Sequence, residues 1–482
     1  MATRSSTNIP KLIAKLPHYC RRLKSSAAAS LASSGQPVNV PKPEESPYIN
    51  LDDSKKLFSS VPTAKLMVST FTLHVVMNEL MIDIGSKVMN SRLMKSPVLR
   101  ELLLRSIEHT LYHHFCGGKT LREADQAARK LWESGLQAML DYGMEHAHDN
   151  ASCNQNVQEI IETIASTISL PSSPVSSVVV KITAIFPPRL LKRVSDLLRW
   201  EYKDKSLHLP WKLQSFPLLS DSSALYHTPE MPGALTLDEE RDLELGFGRL
   251  MKICESSLEA NVPLLIDAED TTIQPAIDYF TYHAAINYHK GDSPLIFNTM
   301  QAYLKDAKER LVMAKKAADE VGVPVGFKLV RGAYMSTERQ VASSVGANSP
   351  IHDCIQDTHA CYDTCASFML QEIANGSGSL ILATHNIHSG KLAAAKVASL
   401  GMKKDNEKLH FAQLYGMADV LSFGLRNAGF NVSKYLPYGA VEHIVPYLLR
   451  RAEENRGFVS TAALDRQLMR RELLRRLTSL EK

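Results

Sequence analysis

The sequence predicts an α/β protein, a (β/α)8 barrel of the TIM type that follows an N-terminal helical arm. Eight short apolar runs, bounded by Pro, Gly or Asn, recur along the chain, and most are separated by amphipathic helical stretches. Eight is the number of strands that closes a parallel barrel. No complete Gly-x-Gly-x-x-Gly fingerprint follows a strand. Its absence disfavours the competing architecture, an open dinucleotide-binding sheet.

Residues 1–45 are predicted to be a disordered mitochondrial transit peptide. Arg, Lys, Ser and Ala recur in this segment, and the first acidic residue of the chain is Glu44. This composition is typical of organelle import signals, although a basic tail of a cytosolic protein is the alternative interpretation. Because much of the basic excess lies here, the formal charge of +4 does not indicate a nucleic-acid partner.

Residues 46–130 are predicted to form the helical arm. Apolar residues recur at helical spacing between residues 60 and 148, most regularly at 99–112 and 121–140. Thr120 and Glu123 predict a capping box at the start of the second stretch.

Residues 131–460 are predicted to form the barrel. The apolar runs predicted as strands are 137–141, 178–185, 263–267, 294–298, 325–330, 380–384, 409–413 and 432–436. Helices are predicted between them, for example over 299–321 and 350–375. Such alternation of apolar strands with helices indicates a buried parallel sheet.

Residues 461–482 are predicted to be a basic amphipathic helix, with Leu and Arg alternating from 464 to 480. We expect its Leu face to pack on the barrel, and a peripheral membrane role is the alternative. No run of eighteen apolar residues predicts a membrane-spanning helix.

Polar residues at the ends of the apolar runs predict one active site, because the carboxyl ends of parallel barrel strands meet at one face. Lys181 interrupts the second run, so it is predicted to meet either a ligand or a buried salt-bridge partner. Asp267 and Glu269 follow the third run on the same side while the strand stays extended. They suit a general base with its orienting partner, or half of a divalent-metal site, and spacing does not choose between them.

Later runs add further polar groups. Residues 328–334 contain two cations before a glycine that lets a ligand approach the backbone, which predicts an anion or cofactor site. Arg450 and Glu454 stand at i, i+4, the spacing of a surface ion pair. The other candidates are Gln301, Thr384, His385, Asn386, Tyr435 and Arg451.

Taken together, these segments resemble the proline dehydrogenase family. The resemblance rests on residues 328–334 and 383–386, the Tyr435-x-Pro437-x-Gly439 turn and the Arg450-Arg451-x-x-Glu454 motif. It runs from about Lys181 to Glu454. It implies a distorted (β/α)8 barrel that binds FAD without a Rossmann motif.

The resemblance also implies roles for single residues. Arg450 and Arg451 would bind the substrate carboxylate, with Lys181 as a further cation, because a guanidinium pairs bidentately with a carboxylate. Tyr435 would lie against the pyrrolidine ring, and Asp267 beside substrate and flavin. Flavin-binding positions are matched by Gln301, Lys328, Val330, Gly332, Thr384, His385, Asn386 and Glu454. The residues expected in catalysis are Asp267, Lys328 and Tyr435, and no metal is expected.

The implied reaction is oxidation of L-proline to Δ1-pyrroline-5-carboxylate by hydride transfer to flavin N5, with quinone as the next electron acceptor. Lys328 is predicted to donate a hydrogen bond to N5. Asp267 and water are both candidates to accept the amine proton. The implied location is the mitochondrial matrix, possibly against the inner membrane.

Two other functions stay open at this point. Hydroxyproline is an alternative substrate, but Tyr435 favours proline because a smaller residue would be expected beside a hydroxylated ring. A metal-dependent lyase or hydrolase would use Asp267, Glu269, His385 and His388 as ligands. That alternative gives Arg450 and Lys328 no role.

Overall fold

A computed structural model describes residues 48–76, 96–169, 174–457 and 459–479. The predicted transit peptide lies outside the described residues. So do several side chains within described helices, among them Arg451 and Glu454.

Parallel strands close a barrel in which each strand pairs with its neighbours in the sequence. The barrel strands are β1 (Gln137–Tyr142), β2 (Val175–Val180), β3 (Leu264–Ile266), β4 (Ile296–Gln301), β5 (Gly326–Val330), β6 (Ser379–Ala383), β7 (Leu409–Leu414) and β8 (Val432–Tyr438). The last strand closes onto the first, with Gln137 opposite Ser433 and Tyr142 opposite Tyr438. The predicted fold class is confirmed.

Helices precede, separate and follow these strands. They are α1 (Ser54–Leu57), α2 (Thr63–Val76), α3 (Pro97–Ile107), α4 (His113–Phe115), α5 (Leu121–Glu133), α6 (Asn150–Ile168), α7 (Ile182–Ile185), α8 (Pro188–Lys203), α9 (Leu237–Ala260), α10 (Gln274–Asn287), α11 (Ala307–Glu320), α12 (Met335–Ser344), α13 (Ile355–Ala374), α14 (Ile387–Ser399), α15 (Asp419–Asn427), α16 (Val441–Gly457) and α17 (Val459–Ser479). A π-helical turn, Glu108–Tyr112, joins α3 to α4, and a small hairpin pairs His289–Lys290 with Ser293–Pro294. Within the described residues, no helix is long and apolar enough to cross a membrane.

The second predicted strand, 178–185, is partly wrong. The strand ends at Val180, and Ile182–Ile185 form a single helical turn. Ala184 N donates to Lys181 O at 3.0 Å, and Phe186 N donates to Ile182 O at 2.9 Å. After Lys181, hydrogen bonds within the turn therefore replace the hydrogen bonds between strands. An unbroken apolar run does not reveal this change, because it fits a buried strand and a buried helix equally well.

Two predicted helices begin too early. Residues 299–301 belong to β4, because Gln301 still pairs with Val330 of β5, and α11 begins only at Ala307. Near residue 350 the chain first makes an isolated bridge between Leu304 and Ile351, and α13 begins at Ile355.

The stretch 121–140 is helical only to Glu133. Gly135 then adopts a φ of 73°, which turns the chain into β1. At its start, the predicted capping box of Thr120 and Glu123 is confirmed.

The C-terminal helix α17 packs mainly on α2, with further contacts to α1 and α15, rather than on the barrel strands. Leu468 and Met469 are buried there. Asp465 accepts hydrogen bonds from the backbone N–H groups of Asp419 and Val420 and thereby caps α15.

The barrel interior is closed by a layer of inward-facing apolar side chains. These are Met139, Val179, Leu265, Phe297, Ile381 and Ala412. The layer forms an apolar floor beneath the polar residues at the carboxyl ends of the strands.

Candidate active site

A pocket opens at the carboxyl ends of the strands, which we call the barrel mouth. Its wall contains these predicted site residues: Lys181, Asp267, Gln301, Lys328, Val330, Gly332, Thr384, His385, Tyr435 and Arg450. Asn386 is not on the wall; its side chain accepts from Ser389 N at 3.1 Å and caps α14. The helix backbone places Arg451 and Glu454 in α16, but their side chains lie outside the described residues.

Five residues that lie in or just after different strands form a hydrogen-bonded charge cluster. Lys181, Asp267, Lys328 and Tyr435 line the pocket, and the buried Asp141 is not on its wall. Asp267 Oδ1 pairs with Lys328 Nζ, and Asp267 Oδ2 accepts from Tyr435 Oη at 2.8 Å and lies 3.4 Å from Lys181 Nζ. Lys181 Nζ donates to Asp141 Oδ1 at 2.6 Å and to Tyr435 Oη at 3.0 Å. Lys181 therefore has the buried salt-bridge partner that was one of its two predicted alternatives. It also lines the pocket, where contact with a ligand stays a prediction.

Burial and charge together set the ionisation of the cluster. Burial alone would raise the pKa of Asp267, but the neighbouring Lys328 and Lys181 outweigh it and lower that pKa to about 2. Burial would lower the pKa of Lys181, yet Asp141 and Asp267 raise it above its ordinary value. Burial and the same two carboxylates raise the pKa of Tyr435 well above 10. Burial also raises the pKa of Asp141, although the neighbouring Lys181 opposes the rise. The pKa directions thus keep Asp267 ionised and Tyr435 a neutral phenol.

Arg450 reaches the pocket from α16. Its Nη2 donates to Glu145 Oε1 at 2.6 Å and its Nη1 to Glu145 Oε2 at 3.2 Å, a two-point pair. Burial would raise the pKa of Glu145, but Arg450 and Lys181 lower it overall. Sequence reasoning missed both Asp141 and Glu145. The available signal was their position at the end of the first apolar run.

Arg331, the second cation of the 328–334 segment in which the sequence predicts an anion or cofactor site, lines the pocket. Its guanidinium donates to His359 Nδ1 at 2.9 Å, to Thr384 Oγ1 at 2.7 Å and to Ser389 Oγ at 2.8 Å. It also lies over the Tyr362 ring, 4.3 Å from the centroid. Burial lowers the pKa of this guanidinium, and its three hydrogen-bond acceptors are neutral side chains. Such a cation is suited to an additional anionic partner.

Gly332, Gln301 and His385 complete the wall of the pocket. Gly332 adopts a φ of 127°, and a Cβ atom at this position would collide with the Tyr303 ring, so glycine is required here. Gln301 Nε2 donates to Glu269 O at 2.8 Å, and His385 Nε2 accepts from Leu414 N at 3.1 Å.

Asp267 and Glu269 do not act as a pair. Since β3 ends at Ile266, side-chain alternation does not extend to them. Glu269 instead accepts from Thr183 Oγ1 at 2.8 Å, away from the charge cluster. Over the described part of the chain, no group of three or more His, Cys, Asp or Glu side chains is arranged to hold a metal.

Comparisons with known proteins agree on one family. The family profile described as "Proline dehydrogenase" matches residues 124–463. The chain is 55% identical over 440 residues to proline dehydrogenase 2, mitochondrial, of Arabidopsis thaliana, covering 91% of this chain and 92% of that protein. It is 31% identical over 402 residues to hydroxyproline dehydrogenase of Rattus norvegicus, covering 80% of this chain and 85% of that protein.

A solved structure shows the same fold. Proline utilization A of Bdellovibrio bacteriovorus, inactivated by N-propargylglycine, superposes with a TM-score of 0.60 at 19% identity. The match covers 85% of this chain, which spans only 40% of the longer bacterial protein.

Proposed function

Because this chain belongs to the proline dehydrogenase family and is accordingly an oxidoreductase, we propose that it oxidises L-proline to Δ1-pyrroline-5-carboxylate with FAD at the barrel mouth. The observation that carries the proposal is the arrangement of the pocket wall. A guanidinium, Arg450, and the charge cluster face the same cavity. This combination suits a small substrate that carries a carboxylate and an amine.

The substrate carboxylate would bind Arg450, with Arg451 as a second partner from the same helix. Arg450 offers a fork of donors, and its hydrogen bonds to Glu145 show that it can engage a carboxylate at two points. Tyr435 would lie against the pyrrolidine ring, since its own ring stacks 6.5 Å from that of Tyr447 and leaves an apolar face toward the pocket.

The residues of the wall fit FAD. Met139, Val330, Ala412 and Leu414 offer apolar surface for a ring system. Arg331 would compensate the charge of the pyrophosphate, because the acceptors it already binds are neutral. The other wall residues proposed to hold the cofactor are Gln301, Lys328, Gly332, Thr384 and His385. Asn386, which caps α14, and Glu454, whose side chain lies outside the described residues, are also proposed to contact it.

When bound, FAD supplies the acceptor for the hydride from the ring carbon next to nitrogen. The chain supplies orientation and charge. Asp267 stays ionised because its pKa is about 2, so its carboxylate can hold a cationic amine beside Lys181 and Lys328 without taking its proton. Tyr435 stays neutral and bridges Asp267 and Lys181.

The cellular setting is part of the proposal. The Arabidopsis relative described above is named mitochondrial, and so is a second one, proline dehydrogenase 1, which is 55% identical over 446 residues. We propose that residues 1–45 direct this chain to the mitochondrial matrix and that quinone receives the electrons, with the chain peripheral to the inner membrane.

The test is an absorption spectrum of the purified protein before and after anaerobic addition of L-proline. Flavin bands that bleach with proline are expected. Flavin bands that persist with proline but bleach with hydroxyproline would show that hydroxyproline, and not proline, is the substrate. A colourless protein that stays inactive after FAD is added would refute the proposal that FAD is its cofactor.

N-propargylglycine gives a second test, since the bacterial relative is described as inactivated by it. We expect this compound to abolish flavin reduction by proline in this chain. Full activity after prolonged incubation would argue against a shared amine-oxidising site.

A further inference from the structure

We infer that Tyr112, which precedes the barrel in the chain, is a positioning residue for proline. Its hydroxyl holds the turn at Gly439 and thereby directs α16, the helix that carries Arg450, toward the pocket. The inference rests on the proposed function, because Arg450 is the proposed partner of the substrate carboxylate. Tyr112 itself is not on the pocket wall, so it acts through α16 and not by touching the substrate.

The Tyr112 side chain is fully buried and bridges two distant parts of the chain. Tyr112 ends the π-helical turn, and its Oη donates to Gly118 O and, at 2.5 Å, to Gly439 O. A phenol has one proton, so the two carbonyl oxygens share it. Gly439 is 327 residues from Tyr112 along the chain. The hydroxyl therefore ties the segment before the barrel to the end of its last strand.

Backbone hydrogen bonds join the same two segments. Gly117 N donates to Pro437 O at 2.8 Å, and Gly439 N donates to Gly118 O at 3.0 Å. Gly118 also forms an isolated parallel bridge with Tyr438, the last residue of β8. This short extension of the sheet fixes the segment that bears the phenol beside the end of β8.

The contact is made at the connection between β8 and α16, which is short. β8 ends at Tyr438 and α16 begins at Val441, so residues 439–440 make the whole turn. Gly439 has a φ of 141°, a conformation that favours glycine. Two residues leave little freedom for the direction of the helix that follows them. A hydrogen bond to Gly439 O therefore helps to fix where α16 points.

Packing holds the same helix against the segment before the barrel. α16 packs on the π-helical turn and on α3. One buried cluster combines Tyr112 with Ile444, Tyr447 and Leu448 of α16. Tyr447 also lines the pocket, where its ring lies 6.5 Å from that of Tyr435. The helix that faces the pocket is thus braced by residues that come before the barrel strands.

A change in the direction of α16 should affect the substrate more than the flavin. Arg450 lies about one helical turn beyond Tyr447, and its guanidinium reaches the pocket from this helix alone. The wall residues proposed to hold FAD lie instead in or just after strands, as Lys328 and Thr384 do. A displaced binding group loses much of its effect, since a shift of about 1 Å can cost as much as about 10²-fold.

The experiment is a steady-state titration of the full-length holoenzyme with L-proline, in wild type and in Tyr112→Phe. Phenylalanine keeps the buried ring and removes only the hydroxyl. We expect the proline KM to rise about 10-fold while kcat stays within about twofold and the flavin spectrum is retained. A merely structural loss would lower the amount of active enzyme, which changes the maximal rate and leaves KM alone.

Tyr279→Phe is the matched control. Tyr279 is also fully buried, and its hydroxyl accepts from Leu213 N at 2.8 Å in another part of the molecule. Its loss should leave the proline KM at the wild-type value, whatever it does to stability.

The double variant Tyr112→Phe/Arg450→Met tests whether Tyr112 acts through Arg450. If it does, the KM of the double variant equals that of Arg450→Met, because the group that would be displaced is already gone. A further rise in KM, as large as that caused by Tyr112→Phe alone, would overturn the inference.

The outcomes separate the positioning role from the proposed function. If proline reduces the wild-type flavin but Tyr112→Phe keeps the wild-type KM, the positioning role is wrong and the proposed function stands. If proline does not reduce the wild-type flavin, both fall. If Tyr112→Phe fails to hold flavin, Gly439→Ala decides, because alanine disfavours that φ and disturbs the same turn with the hydroxyl in place. An unchanged KM in Gly439→Ala overturns the inference.

Discussion

At the residue scale, the barrel mouth is organised by pairs of opposite charge whose members come from distant parts of the chain. Lys181 and Asp141 are 40 residues apart, and Arg450 and Glu145 are 305 apart. A buried charge without its partner is strongly destabilising, so each pair fixes two strand ends or loops relative to each other. The same pairs set the charge that a ligand meets.

Arg450→Met tests the role of the guanidinium in binding. We expect the proline KM to rise by orders of magnitude while flavin stays bound, because a charge-assisted carboxylate partner is lost. Steady-state kinetics with a flavin spectrum measures both. Arg105→Met is the control, since Arg105 forms only an exposed pair with Glu101. An unchanged KM in Arg450→Met would mean that Arg450 pairs with Glu145 and does not bind the substrate.

Asp267→Asn tests the charge cluster as a stabilising element. Removing this carboxylate leaves two buried lysines short of a partner, so we expect the free energy of unfolding to fall by about 3–5 kcal/mol at pH 7. Chemical unfolding measures the change. Asp353→Asn is the control, because its pair with Lys305 is largely exposed and contributes under about 1 kcal/mol.

We also expect the stability difference between wild type and Asp267→Asn to depend on pH. The folded-state pKa of Asp267, about 2, lies below the ordinary aspartate value. Its stabilisation is therefore fully present above about pH 4 and is lost as pH falls toward about 2. The difference in unfolding free energy between wild type and Asp267→Asn should shrink across that window. A constant difference would contradict the assignment.

The sequence could reveal which residues of the site carry charge, but not how they pair. Lys181, Asp267 and Lys328 stand out because charges interrupt or end apolar runs. Glu454 is the partner that local spacing suggests for Arg450, whereas the described contact is with Glu145. Contacts across hundreds of residues depend on barrel closure, and no local pattern encodes them.

At the element scale, strand ends and helix starts decide the shape of the mouth. Apolar runs predicted every barrel strand, because parallel strands buried on both faces are almost continuously apolar. The exact ends were less predictable. Lys181 ends β2 through contacts with Asp141 and Tyr435, which are tertiary.

Gly332→Ala tests the end of β5. A Cβ atom would meet the Tyr303 ring and strain a positive φ, so we expect loss of stability and of flavin retention. Gly346→Ala is the matched control, because Gly346 also has a positive φ but open space around it. That control should cost only about 1–2 kcal/mol. Equal effects would show that backbone strain alone matters.

Arg476→Met tests how α17 is attached. Arg476 donates to Phe58 O and to Val61 O, each at 2.7 Å, and pairs with the buried Glu472. We expect the free energy of unfolding to fall by about 1–3 kcal/mol, as measured by denaturant titration. Arg471→Met, at an exposed position of the same helix, should have little effect. If both variants behave alike, the helix is held by its apolar face only.

At the scale of the whole molecule, the described residues, which begin at Tyr48, all belong to one compact unit. A chain that begins at Ser46 should therefore bind FAD and be reduced by proline at the full-length rate. Its isoelectric point should fall below the value of about 8.5 for the full chain, because most of the basic excess is removed. Isoelectric focusing and flavin reduction measure the two effects. Loss of flavin would place a folding role in the removed segment.

Closure of the barrel has a consequence for biosynthesis. β1 pairs with both β2 and β8. During synthesis, the edge of β1 that pairs with β8 therefore stays unpaired until residue 438 has left the ribosome. An unpaired edge of apolar strand invites wrong association during that delay. Chains that terminate early would expose two such edges, which makes them natural clients for chaperones and proteases. The geometry that assembles the barrel mouth thus also makes incomplete copies of the protein easy for the cell to recognise.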